Sequence, residues 1–91
     1  AHLGSKAALE QYGKGLAQEL ASRGITVNTV LPGFTDTGVL TEPYRQMGAQ
    51  MSPTQRLGHP SDIADVVAFL VSEQARWLTG QVIHAGGGLV M

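Results

Sequence analysis

Apolar residues along this chain recur with two different periods, and the switches between them divide it into elements. Leu9, Tyr12, Leu16 and Leu20 are spaced three, four and four residues apart, the repeat of one face of an α-helix. The stripe predicts a helix over residues 5–22. Ala7, Ala8, Ala17 and Ala21 favour it, and Glu10 and Lys14 stand four apart with the acid first, the better order. Arg23 and then Gly24 supply the chemistry of a helix C-terminus. Gly13 and Gly15 each cost such a helix about 1 kcal/mol relative to Ala, so another backbone or a bulky side chain is expected to pack closely there. Residues 25–31 alternate instead. Ile25 and Val27 fall on one side, Thr26, Asn28 and Val30 on the other, and the β-branched content supports a strand. Pro32-Gly33 predicts a sharp end to it.

Residues 34–58 are polar and broken by Gly38, Pro43, Gly48 and Pro53. They predict a short helix over 42–51 inside a long loop of the kind that is functional or mobile. Met47 and Met51 fall four apart on that helix. A second long helix is expected over 60–73. Pro60 suits its first turn, Ser61 and Asp62 place polar and negative groups at its positive end, and Ile63, Val66, Val67 and Leu70 form its stripe. A last strand over 81–85 follows Gly80 and precedes Gly86-Gly87-Gly88. Trp77 is expected to anchor the second long helix to that strand. Asn28 reads as a structural amide serving neighbouring backbone.

The order is helix, strand, loop with a short helix, helix, strand: an α/β chain. Two strands, each preceded by a helix, predict parallel pairing in one sheet. A parallel sheet needs both faces covered, so the chain reads as part of a larger structure. With 43% apolar and 14% charged residues among 91, disorder is excluded, and polar surface is scarce for a small monomer. A net charge of −1 gives no footprint for nucleic acid. The absence of Cys excludes disulfides and thiolate chemistry. The longest apolar run, residues 66–71, falls short of the roughly 20 residues of a membrane helix. No signal-peptide pattern opens the chain, and a cytoplasmic location is expected.

His59, Ser61 and Asp62 include the residue types of a hydrolytic triad, but sequence neighbours cannot build one across a pocket; helix capping is expected of them. His2, His59 and His84 lack the spacing of a metal helix, so no metal site is expected.

Four segments together carry a resemblance: Ser5-Lys6-Ala7-Ala8-Leu9, Gly24 through Gly33 (GITVNTVLPG), Thr79-Gly80-Gln81, and Gly86-Gly87-Gly88. In this order and spacing the chain resembles the C-terminal part of a short-chain dehydrogenase/reductase, and within that family it is most similar to the 3-oxoacyl-acyl-carrier-protein reductase-like members. The resemblance implies a Rossmann-type doubly wound parallel sheet, with residues 1–91 as the C-terminal half of one domain and the dinucleotide-binding half absent. It implies an NADP- or NAD-dependent oxidoreductase that interconverts a carbonyl and an alcohol on a small molecule, working as a homodimer or homotetramer. The alternative is a non-catalytic assembly module that has lost the catalytic Tyr.

Site residues follow from the same resemblance. Lys6 matches the lysine of the family's Tyr-x-x-x-Lys pair, which lowers the Tyr pKa and binds the nicotinamide ribose. Four residues earlier stands His2, not Tyr. Three readings of His2 are open: an altered terminus, a non-catalytic member, or an imidazole that is itself the acid–base group, as its ordinary pKa of about 6.5 permits. Pro32, Gly33, Thr35 and Thr37 match the family's cofactor loop, where backbone at Thr35 would hold the nicotinamide carboxamide and the Thr37 hydroxyl would add a bond. Ala85 stands where the family often has Asp.

Overall fold

The structure, a computed structural model, describes residues 2–89, with the side chains of His2 and Leu3 outside that description. Helix α1 (His2–Leu20) runs into a 3-10 turn (Ala21–Arg23). Gly24 closes that turn at φ 74°, a left-handed conformation suited to glycine, and its N–H donates to the Ala21 carbonyl. Strand β1 (Thr29–Pro32), helices α2 (Glu42–Met51) and α3 (Pro60–Leu70), a 3-10 turn (Glu73–Ala75) and strand β2 (Val82–Ala85) follow. The strands pair in one sheet, and they run parallel: the Thr29 N–H donates to Gln81 O and the Gly33 N–H to Ala85 O. The α/β order and the parallel pairing are those expected, and α2 has the expected bounds.

By contacts the chain forms two units, one of residues up to Thr29 with Phe69–Ile83, the other of Val30–Ala68 with the residues from His84 on. In the first unit, α1 does not bury the stripe expected of it. Gly13 and Ala17 are buried, and Lys6, Glu10, Leu16 and Leu20 are half-buried, whereas Leu9 and Tyr12 are 55% and 66% exposed. Close approach explains the shift. A Cβ on Gly13 would stand 2.9 Å from Thr29 Oγ1, and one on Gly80 would stand 3.4 Å from Ala17 Cβ. Only the small-residue row lets the helix come this near, so the large side chains stay outside. Gly15 has no atom near its would-be Cβ, so the close packing expected at both glycines occurs at Gly13 alone.

Residues 25–28 lie outside β1 because side chains take over their pairing. The Val27 N–H donates to Thr79 Oγ1 at 3.0 Å, Asn28 Nδ2 donates to Leu78 O at 3.1 Å, and the Gln81 N–H donates to Asn28 Oδ1 at 3.1 Å. Asn28 is thus the structural amide expected. α3 ends at Leu70, short of residue 73, because the Ser72 N–H and hydroxyl both donate to Phe69 O, a serine competing with the helical ladder. Trp77 is not an anchor. It is 95% exposed, and Ala75 takes the buried position at the turn before it.

In the second unit, α2 packs through Gly48, whose added Cβ would stand 2.7 Å from Leu57 Cδ2 and 3.4 Å from Phe34 Cβ. Gly87, at φ 62°, packs against Thr54, where a Cβ would come within 2.8 Å of Oγ1.

Candidate functional site

The loop after β1 begins inside the strand. Pro32 is the last residue of β1 and does not break it. The ladder donors Thr29 and Gly33 lie four apart, so the missing N–H of Pro32 falls on the side facing away from β2 and costs the pair nothing. Gly33 then passes against Gly86: a Cβ on Gly33 would stand 2.7 Å from Gly86 Cα. Two backbones in contact need glycine at this crossing.

Beyond it, Thr35 pairs with Gly58 in an isolated parallel bridge. The Gly58 N–H donates to Phe34 O and the Asp36 N–H donates to Gly58 O, each at 2.8 Å. A parallel bridge of this form uses the groups flanking Thr35 and turns its own N–H and C=O to the opposite side. Among the described residues no hydrogen bond engages either group. The Thr35 hydroxyl donates to Gly33 O at 3.2 Å. The result is a short backbone edge with one free donor and one free acceptor, which complements a primary carboxamide. Thr37 is exposed. Asp36 anchors the far end of the loop, accepting the Gly38 N–H at 3.0 Å and pairing with Arg45 Nη2 of α2 at 3.4 Å.

Opposite the bridge, Arg56 and Gly58 are not singled out by the sequence, and Asp62 reads in it only as a cap. Arg56 Nη1 donates to Asp62 Oδ2 at 2.9 Å, and the His59 N–H donates to the same oxygen at 2.7 Å. Asp62 therefore reaches back from the first turn of α3 to the residue that precedes it, the reciprocal half of a capping box. This is the capping role expected there, carried by the Asp62 carboxylate and the His59 N–H, and among the described residues the Ser61 hydroxyl takes no part in it. The Arg56 guanidinium, and after it the His59 N–H, hold the Asp62 carboxyl below its ordinary pKa, and Asp62 in turn raises that of Arg56. A cavity of about 210 Å³ opens in the same unit, lined in part by Phe34, Ser52, Thr54, Arg56, Asp62 and Gly87. The placement of Arg56 and Asp62 on either side of the proline that starts α3 was the available signal. That Gly58 between them would bond to residues 34–36 was not readable, because the partners are far apart in sequence.

Pro32, Gly33, Thr35 and Thr37 thus form one continuous loop in the second unit, while Lys6 and His2 belong to α1 in the first. Lys6 is half-buried and forms no ion pair among the described residues. His2 begins α1, one helical turn before Lys6; its side chain lies outside the described residues.

The family model described as enoyl-(acyl carrier protein) reductase matches residues 1–90. The chain belongs to the short-chain dehydrogenase/reductase family. It is 49% identical over 90 residues to the 3-oxoacyl-[acyl-carrier-protein] reductase FabG of Rickettsia conorii, covering 96% of this chain and 37% of that protein. It is 43% identical over 90 residues to the oxidoreductase YjdA of Bacillus subtilis, covering 99% of this chain and 36% of that one. Among solved structures, the angucycline C-6 ketoreductase LanV with bound NADP superposes with a TM-score of 0.86 at 48% identity, over 92% of this chain and 34% of that one. The chain therefore spans about a third of the length of these relatives of the family, and its fold is that of a Rossmann-like fragment.

Proposed function

We propose that this chain is the C-terminal half of a single Rossmann-type domain in an NADP- or NAD-dependent oxidoreductase that interconverts a carbonyl and an alcohol on a small molecule. Family membership and the reductase relatives support the reaction class. The observation that carries it is the Thr35 edge, whose free N–H and C=O match the donor and acceptor of a nicotinamide carboxamide. Gly33 fits the same role, because its contact with Gly86 fixes where that edge begins. Pro32 holds the entry to the loop, and the exposed Thr37 hydroxyl is available to the bound cofactor.

When bound, the nicotinamide dinucleotide supplies or accepts the hydride. The work of this chain is to orient the ring through Thr35 and to manage a proton from α1. By the family resemblance, Lys6 would bind the nicotinamide ribose and, through its positive charge, ease deprotonation of an acid–base group one turn away. That position is occupied by His2. A positive charge that helps a phenol disfavours an imidazolium, so His2→Tyr is expected to raise activity at neutral pH and Lys6→Ala to abolish it. A rate of carbonyl reduction that falls as pH rises through the ordinary His pKa of about 6.5, together with no gain from Tyr, would make His2 itself the acid.

The 91 residues alone are expected to reduce no simple ketone or acetoacetyl ester with NADPH or NADH, and turnover by a mass-verified chain would refute the half-domain reading. We also assign the protein to the cytoplasm, on its composition, and to a homodimer or homotetramer. Exposed Leu9 and Tyr12 on α1 and Val67 and Phe69 on α3 support association. A monomer at every concentration in sedimentation would refute it. Among the described residues no helix is long and apolar enough to cross a membrane.

A further inference from the structure

The loop that presents Thr35 is held in place by a segment that does not itself belong to the loop. Both backbone bonds that set the register of Thr35 end on Gly58. Gly58 has no side chain with which to fix itself, and its neighbours fix it instead. Arg56 Nη1 donates to Leu57 O and to Asp62 Oδ2, each at 2.9 Å, and the His59 N–H donates to the same Asp62 oxygen at 2.7 Å. Asp62 thereby ties down the chain on both sides of Gly58, through Arg56 before it and His59 after it. Asp62 is itself set by α3, whose start at Pro60 fixes the direction from which the carboxylate reaches back.

The ion pair alone would do little. The side chains of Arg56 and Asp62 are 55% and 41% exposed, and exposed pairs contribute little to stability. The geometry matters more. Three hydrogen bonds close a ring around one residue, and that residue carries the two bonds that turn the Thr35 N–H and C=O outward. The other tether of the loop, Arg45 to Asp36, holds its far end and leaves the register at Thr35 to Gly58.

We propose that Asp62, with Arg56, is a positioning residue: a latch that fixes Gly58 and through it presents the Thr35 backbone edge to the nicotinamide. The proposal rests on the reading of the Thr35 edge as the carboxamide site. Opening the latch lowers the fraction of molecules whose edge is in register, and only a ligand that uses the edge meets that loss. The nicotinamide half of the dinucleotide uses it; the adenosine half does not.

The test is equilibrium binding to the full-length protein containing this chain, with NADPH and NADH as one set of probes. The other set is ADP-ribose and its 2′-phosphate, which lack the nicotinamide. Asp62→Ala removes the ring and the cap together. It is expected to weaken NAD(P)H binding about fivefold, the population change that matches a lost cap, and to leave the ADP-ribose ligands unchanged. Arg56→Gln should act in the same direction, and the double variant should lose no more than Asp62→Ala, since both residues act through one ring. Asp62→Glu should restore binding, because Glu at this helix position can make the same reach. Equal losses for both ligand sets would mean general destabilisation and would overturn the proposal, as would undiminished NAD(P)H binding by Asp62→Ala. A wild-type protein that binds the ADP-ribose ligands as tightly as NAD(P)H would instead overturn the carboxamide reading beneath it.

Discussion

The contact between Gly33 and Gly86 offers a sharp perturbation. A methyl group at Gly33 would stand 2.7 Å from Gly86 Cα, 3.1 Å from Gly86 O and 3.3 Å from its carbonyl carbon. All three are backbone atoms, so no rotamer change relieves the clash. Ordinary contact between carbon atoms lies near 3.5–4.0 Å, so the two segments must separate by roughly 1 Å. The separation falls on the end of the β1–β2 ladder, where the Gly33 N–H to Ala85 O bond is already 3.3 Å long. Losing that bond while overpacking the crossing should cost about 2–3 kcal/mol in Gly33→Ala. The loss should appear as a lower urea midpoint at unchanged m-value. Because the loop begins at this crossing, binding of the nicotinamide half should weaken beyond what the lost stability explains. A Gly33→Ala protein within about 0.5 kcal/mol of wild type, the range of ordinary surface changes, would refute the argument. It would mean that the chain can part at Gly86 without cost.

Gly15→Ala should stabilise α1 by about 1 kcal/mol because nothing lies near its Cβ, whereas Gly13→Ala should gain less or lose stability against Thr29 Oγ1 at 2.9 Å; urea titrations of the two variants side by side check this. Asp62 has its folded pKa lowered by Arg56 and His59, so its contribution is fully present above the ordinary carboxylate value of about 3.9 and is lost as pH falls through the lowered one. Asp62→Asn should remove that part of the acid dependence, read as stability against pH. Trp77, 95% exposed, should give the red-shifted emission of solvated indole in the 91-residue chain and be fully open to acrylamide; a blue-shifted, protected signal would contradict its placement.

Hydrophobic periodicity and punctuation residues were enough to order the elements. Pro60 and Gly24 are local signals, because each acts through its own φ or its own missing N–H, and they placed the start of α3 and the turn that follows α1. The parallel pairing was legible for a related reason: a strand that follows a helix each time leaves little other topology. Family motifs likewise marked the loop at Pro32, Gly33, Thr35 and Thr37. What the periodicity could not supply was which side of a periodic helix faces inward. Leu9 and Tyr12 share the spacing of a core stripe, yet Gly13 and Ala17 are the buried pair, since closeness to Thr29 and Gly80 is set by residues distant in sequence. Trp77 shows the same limit: size argues for burial, but the turn gave the inward place to Ala75. The Thr35 edge needed the tertiary structure most. A free N–H and C=O exist there only because Gly58, more than twenty residues on, takes the bonds on either side, and no pattern local to either segment encodes that pairing.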